Sequence, residues 1–420
     1  MGRDSSEHNS SDRKSPEIKA PEIKASNVEV SNGQFMKKKK IMLIVPMLHQ
    51  GGFERVCVAT ARLLEPYYEV YIVIFDSKDI AYDIKGLDVI DLHMGVKKDI
   101  VSKCINVLKR SYAVRKTKNK LEVHIAYSFG PTANMVNVLS GGSGRKWLGI
   151  RSYMDMADEK KMRWFCRKAD KVLCCSRIIE EEISEKYHCT KGVTLYNPFD
   201  VKDMYAKADA ESPRMPWSSK ERVIVSMGRE DDVKGFWHLI KSFALLHRQI
   251  PDARLMIVGD GSFEEYRELA KDLEIGEAVY FTGMKKNPFP YLKMAELYVL
   301  SSYNEGFPNA LLEAMAFGMP VIATNCMTGP EEILLKEKKP EEENGVIYGE
   351  YGVLIPNMSP EKNLDAAVIT EEERVLAGEM IKMMEDEAMK ARYKEAALIR
   401  VKDFTNEKYV ENIIQYGGAE

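Results

Sequence analysis

Short apolar runs alternate with amphipathic helical patterns over residues 41–175, and the alternation restarts at residue 223. This pattern restricts the chain to few folds. The runs at 41–45, 70–75, 89–92, 123–127, 147–150 and 172–175 read as buried strands, with helical patterns between them, for example at 54–64 and 103–115. Strands apolar along their whole length, separated by helices, belong to a parallel sheet covered on both faces. Pro213 and Pro216 interrupt the pattern, which resumes with strands at 223–227, 254–258, 279–281 and 297–300 and helices at 236–247 and 263–273. In the helix at 236–247, Phe236, Leu239, Ile240, Phe243 and Leu246 recur at helical spacing. The spacing predicts an α/β protein of two doubly wound, Rossmann-like domains, 37–205 and 221–402, joined by a linker at 206–220. A chain of 420 residues also exceeds the ~250–300 at which single cores stop growing. Residues 403–420 hold a last helix, with Tyr409, Val410, Ile413 and Ile414 apolar. Residues 1–36 are polar, repeat Pro16-Glu-Ile-Lys-Ala20 as Pro21-Glu-Ile-Lys-Ala25, and read as a disordered tail.

Ligands of doubly wound sheets bind beyond the carboxyl ends of the strands, so two facing sheets imply a cleft. The stretch 301–324, SSYNEGFPNALLEAMAFGMPVIAT, reads as strand end, turn, helix and strand. A helix entered through Gly306 and Pro308 presents free backbone N–H groups and the positive end of its dipole, which suits an anion. Glu305 sits in the turn, and Glu313 about one turn into the helix, where a carboxylate accepts hydroxyl hydrogen bonds. Phosphate together with sugar hydroxyls is the ligand this suggests. Two carboxylates eight residues apart are otherwise common on solvated helices. Gly51 and Gly52 follow the first strand and let backbone approach a ligand. Arg229 and Lys234 follow the first strand of the second half. There they either neutralise a diphosphate or pair with Glu230, Asp231 and Asp232. Val258-Gly-Asp-Gly261 lacks the third glycine of a dinucleotide fingerprint, because Glu264 stands in its place.

The string Glu305-Gly-Phe-Pro-Asn309, with Glu313 and the Gly318-Met-Pro320 break, resembles the E-x7-E signature of the retaining glycosyltransferases of family four, which have the GT-B fold. The loop Gly51-Gly-Phe-Glu-Arg55 is similar to that family's glycine loop, which faces the donor phosphates and the acceptor. The segment at 226–236 is similar to its Gly-Arg…Lys-Gly element, whose Arg and Lys hold the pyrophosphate. The resemblance implies a nucleotide-sugar donor held by Gly51, Gly52, Arg229, Lys234, Gly261, Met284, Glu305, Gly306, Phe307, Pro308, Asn309 and Glu313. It implies catalytic roles for Glu305, Arg229 and Lys234, with Glu305 positioning the donor sugar rather than attacking it. It also implies that the last helix crosses back onto the first domain. The His that many relatives carry near the donor sugar has no match, which leaves His49, Ser128 and Arg151 as acceptor-side candidates. No D-x-D pair occurs, so Arg229, Lys234 and a helix N-terminus would supply positive charge, and neither a metal nor another cofactor is expected. Two strings, Tyr196-Asn-Pro-Phe-Asp200 and Gly329-Pro-Glu-Glu-Ile-Leu334, look like the branch that builds bacterial surface polysaccharides on lipid carriers. That branch favours UDP-hexoses or UDP-N-acetylhexosamines, with GDP-mannose as the alternative. A nucleotide-sugar epimerase or hydrolase on the same fold, or a silent binding subunit, are the rival readings.

The net charge of −3 divides into +10 over 37–205 and −12 over 206–420, and such a split suggests an anionic partner for the first half. Residues 101–120 carry seven Lys or Arg and no acid, with Ile105, Leu108, Tyr112 and Ala113 apolar. An anionic membrane surface is the expected partner there, with Trp164 and Phe165 read either as part of that surface or as core, and nucleic acid is not expected. The seven cysteines are odd in number and scattered, as in a reducing compartment. No run approaches the ~20 apolar residues of a membrane span. The expected location is therefore the cytoplasm, peripheral on the inner face of the cell membrane.

Overall fold

The computed structural model describes residues 38–418 apart from residues 50, 97–98, 219, 337–341 and 344. The predicted tail at 1–36 lies outside the described residues. The first half contains strands β1 (Lys40–Val45), β2 (Glu69–Ile74), β3 (Asp88–Asp91), β4 (Ile125–Phe129), β5 (Arg145–Ile150), β6 (Lys171–Cys174) and β7 (Gly192–Thr194). They form one parallel sheet in the order β3-β2-β1-β4-β5-β6-β7. Helices α1 (Gly52–Leu64), α2 (Ile100–Leu121), α3 (Pro131–Ser140), α4 (Glu159–Lys168) and α5 (Arg177–Tyr187) connect these strands. Helix α6 (Val201–Asp209) then leads to the second half.

That half contains β8 (Arg222–Met227), β9 (Ala253–Val258), β10 (Val279–Phe281), β11 (Leu297–Leu300), β12 (Val321–Thr324), β13 (Glu342–Glu343), β14 (Val346–Tyr348) and β15 (Val353–Ile355). Its order is β10-β9-β8-β11-β12-β15-β14-β13, parallel except where β14 runs against β15 and β13. Its helices are α7 (Phe236–Gln249), α8 (Glu264–Asp272), α9 (Phe289–Lys293), α10 (Asn309–Ala316), α11 (Pro330–Leu334), α12 (Glu371–Glu385) and α13 (Glu387–Arg400). Helix α14 (Asn406–Gly417) closes the chain. In both sheets the strand order reverses between the first and fourth strands. The loops after β1 and β4, and after β8 and β11, therefore open at the two ligand-binding crevices.

The core follows the periodicities. Ile41, Leu43, Ile72 and Ile125 pack on one side of the first sheet, and Tyr409, Val410 and Ile413 of α14 pack with them. Another apolar cluster runs continuously from Leu148, Ile150 and Phe165 of the first half to Val223, Leu312 and Ala323 of the second. Residues 39–420 form one compact unit. The chain breaks between α12 and α13 because Asp386 leaves helical geometry and its carboxylate caps α13 by accepting from Met389 N–H. The crossing between halves starts earlier than residue 206, with α6 held on the second half by the Tyr205 hydroxyl donating to the Ala316 carbonyl at 2.9 Å.

Helix α2 turns its apolar stripe outward and a largely polar face inward. It buries Asn106, Arg110, Ser111, Val114 and Lys118. Arg110 donates to the Met94 carbonyl and lies over the Phe75 ring, and Lys118 donates to Asn137 and Ser140. The outward stripe is Val101, Ile105, Leu108 and Tyr112, the last two 61% and 73% exposed. Lys103, Lys109, Arg115, Lys116 and Lys120 are exposed on the same helix. Phe165 is 1% exposed and belongs to the core, which removes it from any such surface.

Candidate functional site

The turn after β8 and the turn after β11 interlock. Gly235 has a φ of +59°, and a Cβ there would lie 2.4 Å from the Ser301 carbonyl oxygen, so only glycine lets the two turns touch. The Ser301 hydroxyl donates back to the Lys234 carbonyl at 2.9 Å. This contact places Lys234, at the end of a 3₁₀ turn (Asp232–Lys234), against Glu305. Lys234 Nζ donates to Glu305 Oε1 at 2.7 Å, and the Ser302 hydroxyl donates to the same oxygen at 2.7 Å. The two side chains are 22% and 12% exposed. Backbone bonds from Glu305 N–H to the Met327 carbonyl and from Thr328 N–H to the Glu305 carbonyl hold the turn.

The acidic insert is engaged elsewhere. The Glu230 carboxylate accepts from Phe263 N–H at 2.9 Å, at the start of α8, and Asp232 pairs with Lys362 at 3.0 Å. Arg229 meets Asp231 only at 3.4 Å and stays 69% exposed. Such a surface pair contributes little, so the guanidinium stands open to an incoming anion. Gly261 lies beside this insert, and a Cβ on it would strike Glu230. Met284 is half exposed, next to Gly283. Helix α10 follows Pro308 without a side-chain cap; Leu311 N–H donates to the Pro308 carbonyl, which leaves the N–H groups of Asn309 and Ala310 for a ligand.

Glu313, in α10, is nearly buried and pairs with Arg55 of α1 from the first half. Glu313 draws the Arg55 guanidinium pKa upward, against the effect of burial. The adjacent Glu54 carboxyl is pushed up by burial, partly offset by its own backbone N–H and by His49 and Arg229. Gly51 caps α1 with extended backbone and no side chain. The Tyr82 hydroxyl accepts from Gly51 N–H at 2.9 Å and donates to its carbonyl at 2.7 Å. A Cβ on Gly52 would meet nothing within 4 Å, so this glycine faces open space.

Several candidates have other tasks. A Cβ on Gly306 would lie 2.5 Å from the Arg151 carbonyl oxygen, so this glycine permits the two halves to approach. The Phe307 side chain points into the shared core, packed on Tyr196 and Phe404, which removes it from the ligand-facing set. Asn309 accepts from Asn197 at 2.7 Å, and Asn197 in turn accepts from Arg151. Arg151 is thus fixed as a strut to the start of α10, with Tyr127 as a second partner at 3.4 Å. Ser128 is fully buried. Its hydroxyl is enclosed by Asn134, Asn137 and the Trp147 carbonyl, so it is corrected from acceptor-side candidate to core network. His49 remains on the cleft loop near Glu54.

Sequence reasoning missed the contacts that join the halves. Glu332 is 6% exposed, and its oxygens accept from Arg177 N–H at 2.8 and 3.0 Å and from the Tyr196 hydroxyl. It caps α5 from the other half. Arg55 stood inside the glycine-loop string, yet no local signal named its partner. Among the described residues, no group of three His, Cys, Asp or Glu side chains is arranged to hold a metal ion.

Residues 193–353 match the family model described as glycosyl transferases group 1. An uncharacterised glycosyltransferase of Methanocaldococcus jannaschii is 35% identical over 258 residues, 59% of this chain and 63% of that one. The chain therefore spans less than two thirds of this relative. A Campylobacter jejuni N-acetylgalactosaminyltransferase acting on N-acetylgalactosamine-N,N'-diacetylbacillosaminyl-diphospho-undecaprenol is 23% identical, covering 90% of this chain and 99% of that one. Among solved structures, Anabaena HepE in complex with UDP superposes with a TM-score of 0.68 at 18% identity, covering 90% of this chain and 98% of that one. The interlocked turns after β8 and β11 lie inside the matched segment, and both sheets are shared with structures of this kind. Residues 193–353 are thus similar to group 1 glycosyl transferases, and the chain has the two-sheet GT-B fold.

Proposed function

We propose that the protein is a retaining, metal-independent hexosyltransferase. It moves a hexose or N-acetylhexosamine from a nucleotide sugar, preferably a UDP-sugar, to a lipid-linked cell-surface glycan. The observation that carries this reading is the Lys234–Glu305 pair at the uncapped start of α10, with Arg229 open beside it and Glu313 further along the helix. Arg229 and Lys234 hold the diphosphate and stabilise it as it leaves, and no divalent ion is needed for that charge. Glu313 accepts from ribose hydroxyls. Glu305 accepts from hydroxyls of the donor sugar and fixes its anomeric carbon. The bond from that carbon to the phosphate oxygen breaks as the acceptor hydroxyl attacks on the same face. The departing phosphate oxygen takes the acceptor's proton.

The protein works as a peripheral protein on the inner face of the cell membrane. No described helix is long and apolar enough to cross a bilayer, but α2 supports contact with one. Its outward apolar stripe, flanked by five exposed cations, matches the interfacial region of anionic lipid. The lipid-linked substrate in the name of the Campylobacter relative supports the same acceptor class.

The experiment is a thermal-shift panel of UDP, GDP, ADP, NAD and UDP-sugars on wild type and Lys234→Ala. A ligand confined to the native state stabilises by ~2.7 kcal/mol at one hundred times its dissociation constant. A shift with UDP or a UDP-sugar that Lys234→Ala loses is the expected result. A shift with GDP alone moves the donor to the guanine nucleotides, and no shift with any nucleotide refutes the reading.

A further inference from the structure

A carboxylate as buried as Glu313, 3% exposed, needs a fixed cation, because an uncompensated buried charge is costly. The cation is Arg55, and it belongs to the other half of the molecule. Arg55 Nη2 lies 2.5 Å from Glu313 Oε1. The contact engages one carboxylate oxygen, and a carboxylate offers about four acceptor positions, so capacity for hydroxyl donors is left over. The Arg55 side chain is 43% exposed, which puts it in the open cleft and not in the core. It issues from the first turn of α1, directly after Gly51 and Gly52. Its neighbour Glu54 lies within the field of Arg229, so consecutive residues of α1 present opposite charges to Glu313 and Arg229.

We infer that Arg55 is a positioning residue for the donor: its ion pair orients the Glu313 side chain to accept the ribose hydroxyls of a nucleotide. This rests on the donor reading above. Hydroxyl recognition by the second half then depends on a side chain of the first, and the site is complete only when the halves are together. The pairing also explains how Glu313 tolerates burial while the cleft is empty.

The consequence is ribose selectivity. A hydrogen bond from a neutral donor to a charged acceptor is worth ~1.5–3 kcal/mol, which is about 10- to 150-fold in affinity. The experiment measures binding of UDP and 2′-deoxy-UDP, or of GDP and 2′-deoxy-GDP if the wild type prefers guanine. Calorimetry on wild type, Arg55→Met, Arg55→Lys, Glu313→Gln and the Met/Gln double variant gives the comparison. The expected wild-type preference for the ribonucleotide is about tenfold or more. Arg55→Met brings that ratio close to one and weakens the ribonucleotide at least about tenfold, and Arg55→Lys recovers part of both. The double variant is no worse than Glu313→Gln alone, since residues in one network are non-additive. A ribose preference undiminished in Arg55→Met, or equal losses for both nucleotides, overturns the assignment even where the variant is less stable. If the wild type binds neither UDP nor GDP, the donor reading itself falls and takes this one with it.

Discussion

Replacing Glu305 by Gln separates positioning of the donor sugar from attachment of the nucleotide. The amide keeps the shape of the side chain and the 2.7 Å bond from Ser302, but removes the charge facing Lys234. Breaking a fully buried pair costs ~3–5 kcal/mol. Here the partners are 22% and 12% exposed and Lys234 can turn into cleft water, so about 1–2 kcal/mol is expected. For a protein of this size that lowers the melting midpoint by roughly 1–2 °C. UDP lacks the donor hexose, and an unpaired Lys234 is freer to meet its diphosphate, so UDP should bind as well as before or a few-fold tighter. Turnover is another matter. Losing a charged acceptor that orients the reacting sugar should lower kcat by about 10²–10³, equivalent to ~2.7–4 kcal/mol of transition-state stabilisation. Calorimetry with UDP and initial rates with a UDP-sugar give both quantities, and intact-protein mass spectrometry examines the protein for attached sugar. If UDP affinity falls in proportion to kcat, Glu305 acts only by holding Lys234 and the positioning argument is wrong. A covalent glycosyl-enzyme on the wild type that the variant lacks would make Glu305 a nucleophile instead.

Burial of Lys118 beneath α2 brings its ammonium down from 10.5 to about 7. Below pH 7 both folded and unfolded chains are protonated there, and the fold bears the full burial cost. Between about 7 and 10.5 only the unfolded chain binds the proton, so stability rises with pH, by about 5 kcal/mol at most across the window. Denaturant titrations of wild type and Lys118→Met from pH 6 to 10 should diverge by that slope, and parallel curves refute it. EDTA should leave transferase activity intact, whereas full loss with rescue by a divalent ion would show a metal requirement. Wild type should float with anionic vesicles, and Leu108→Glu with Tyr112→Glu should not, since each buried apolar side chain contributes ~1.5–3 kcal/mol. No flotation of the wild type would remove α2 from the membrane.

Much of the candidate site was legible because it is local. The Gly306–Pro308 turn, the start of α10 and the placing of Arg229 and Lys234 after β8 follow from short strings and strand ends. Phe307 was misread for the opposite reason: it stands in the right string, but Tyr196 and Phe404, distant in sequence, draw its ring into the core. Ser128 likewise ends its strand on the cleft side, and only α3, bringing Asn134 and Asn137 over it, encloses it. In α2 the basic content was plain. Which face turns outward was not, because Arg110 and Lys118 find buried acceptors that periodicity does not register.

The sequence by itself determined the two-sheet architecture and the turns that carry the charged groups. Apolar periodicity, glycine and proline act over a few residues and need no partner to be read. Only the tertiary structure decided which charged groups meet. Lys234 pairs with Glu305 rather than with the acids beside it, Glu332 caps a helix of the opposite half, and Arg55 holds Glu313. A side chain's charge is written in the chain, but its partner depends on how two sheets pack, and that energy is shared among residues no local pattern connects.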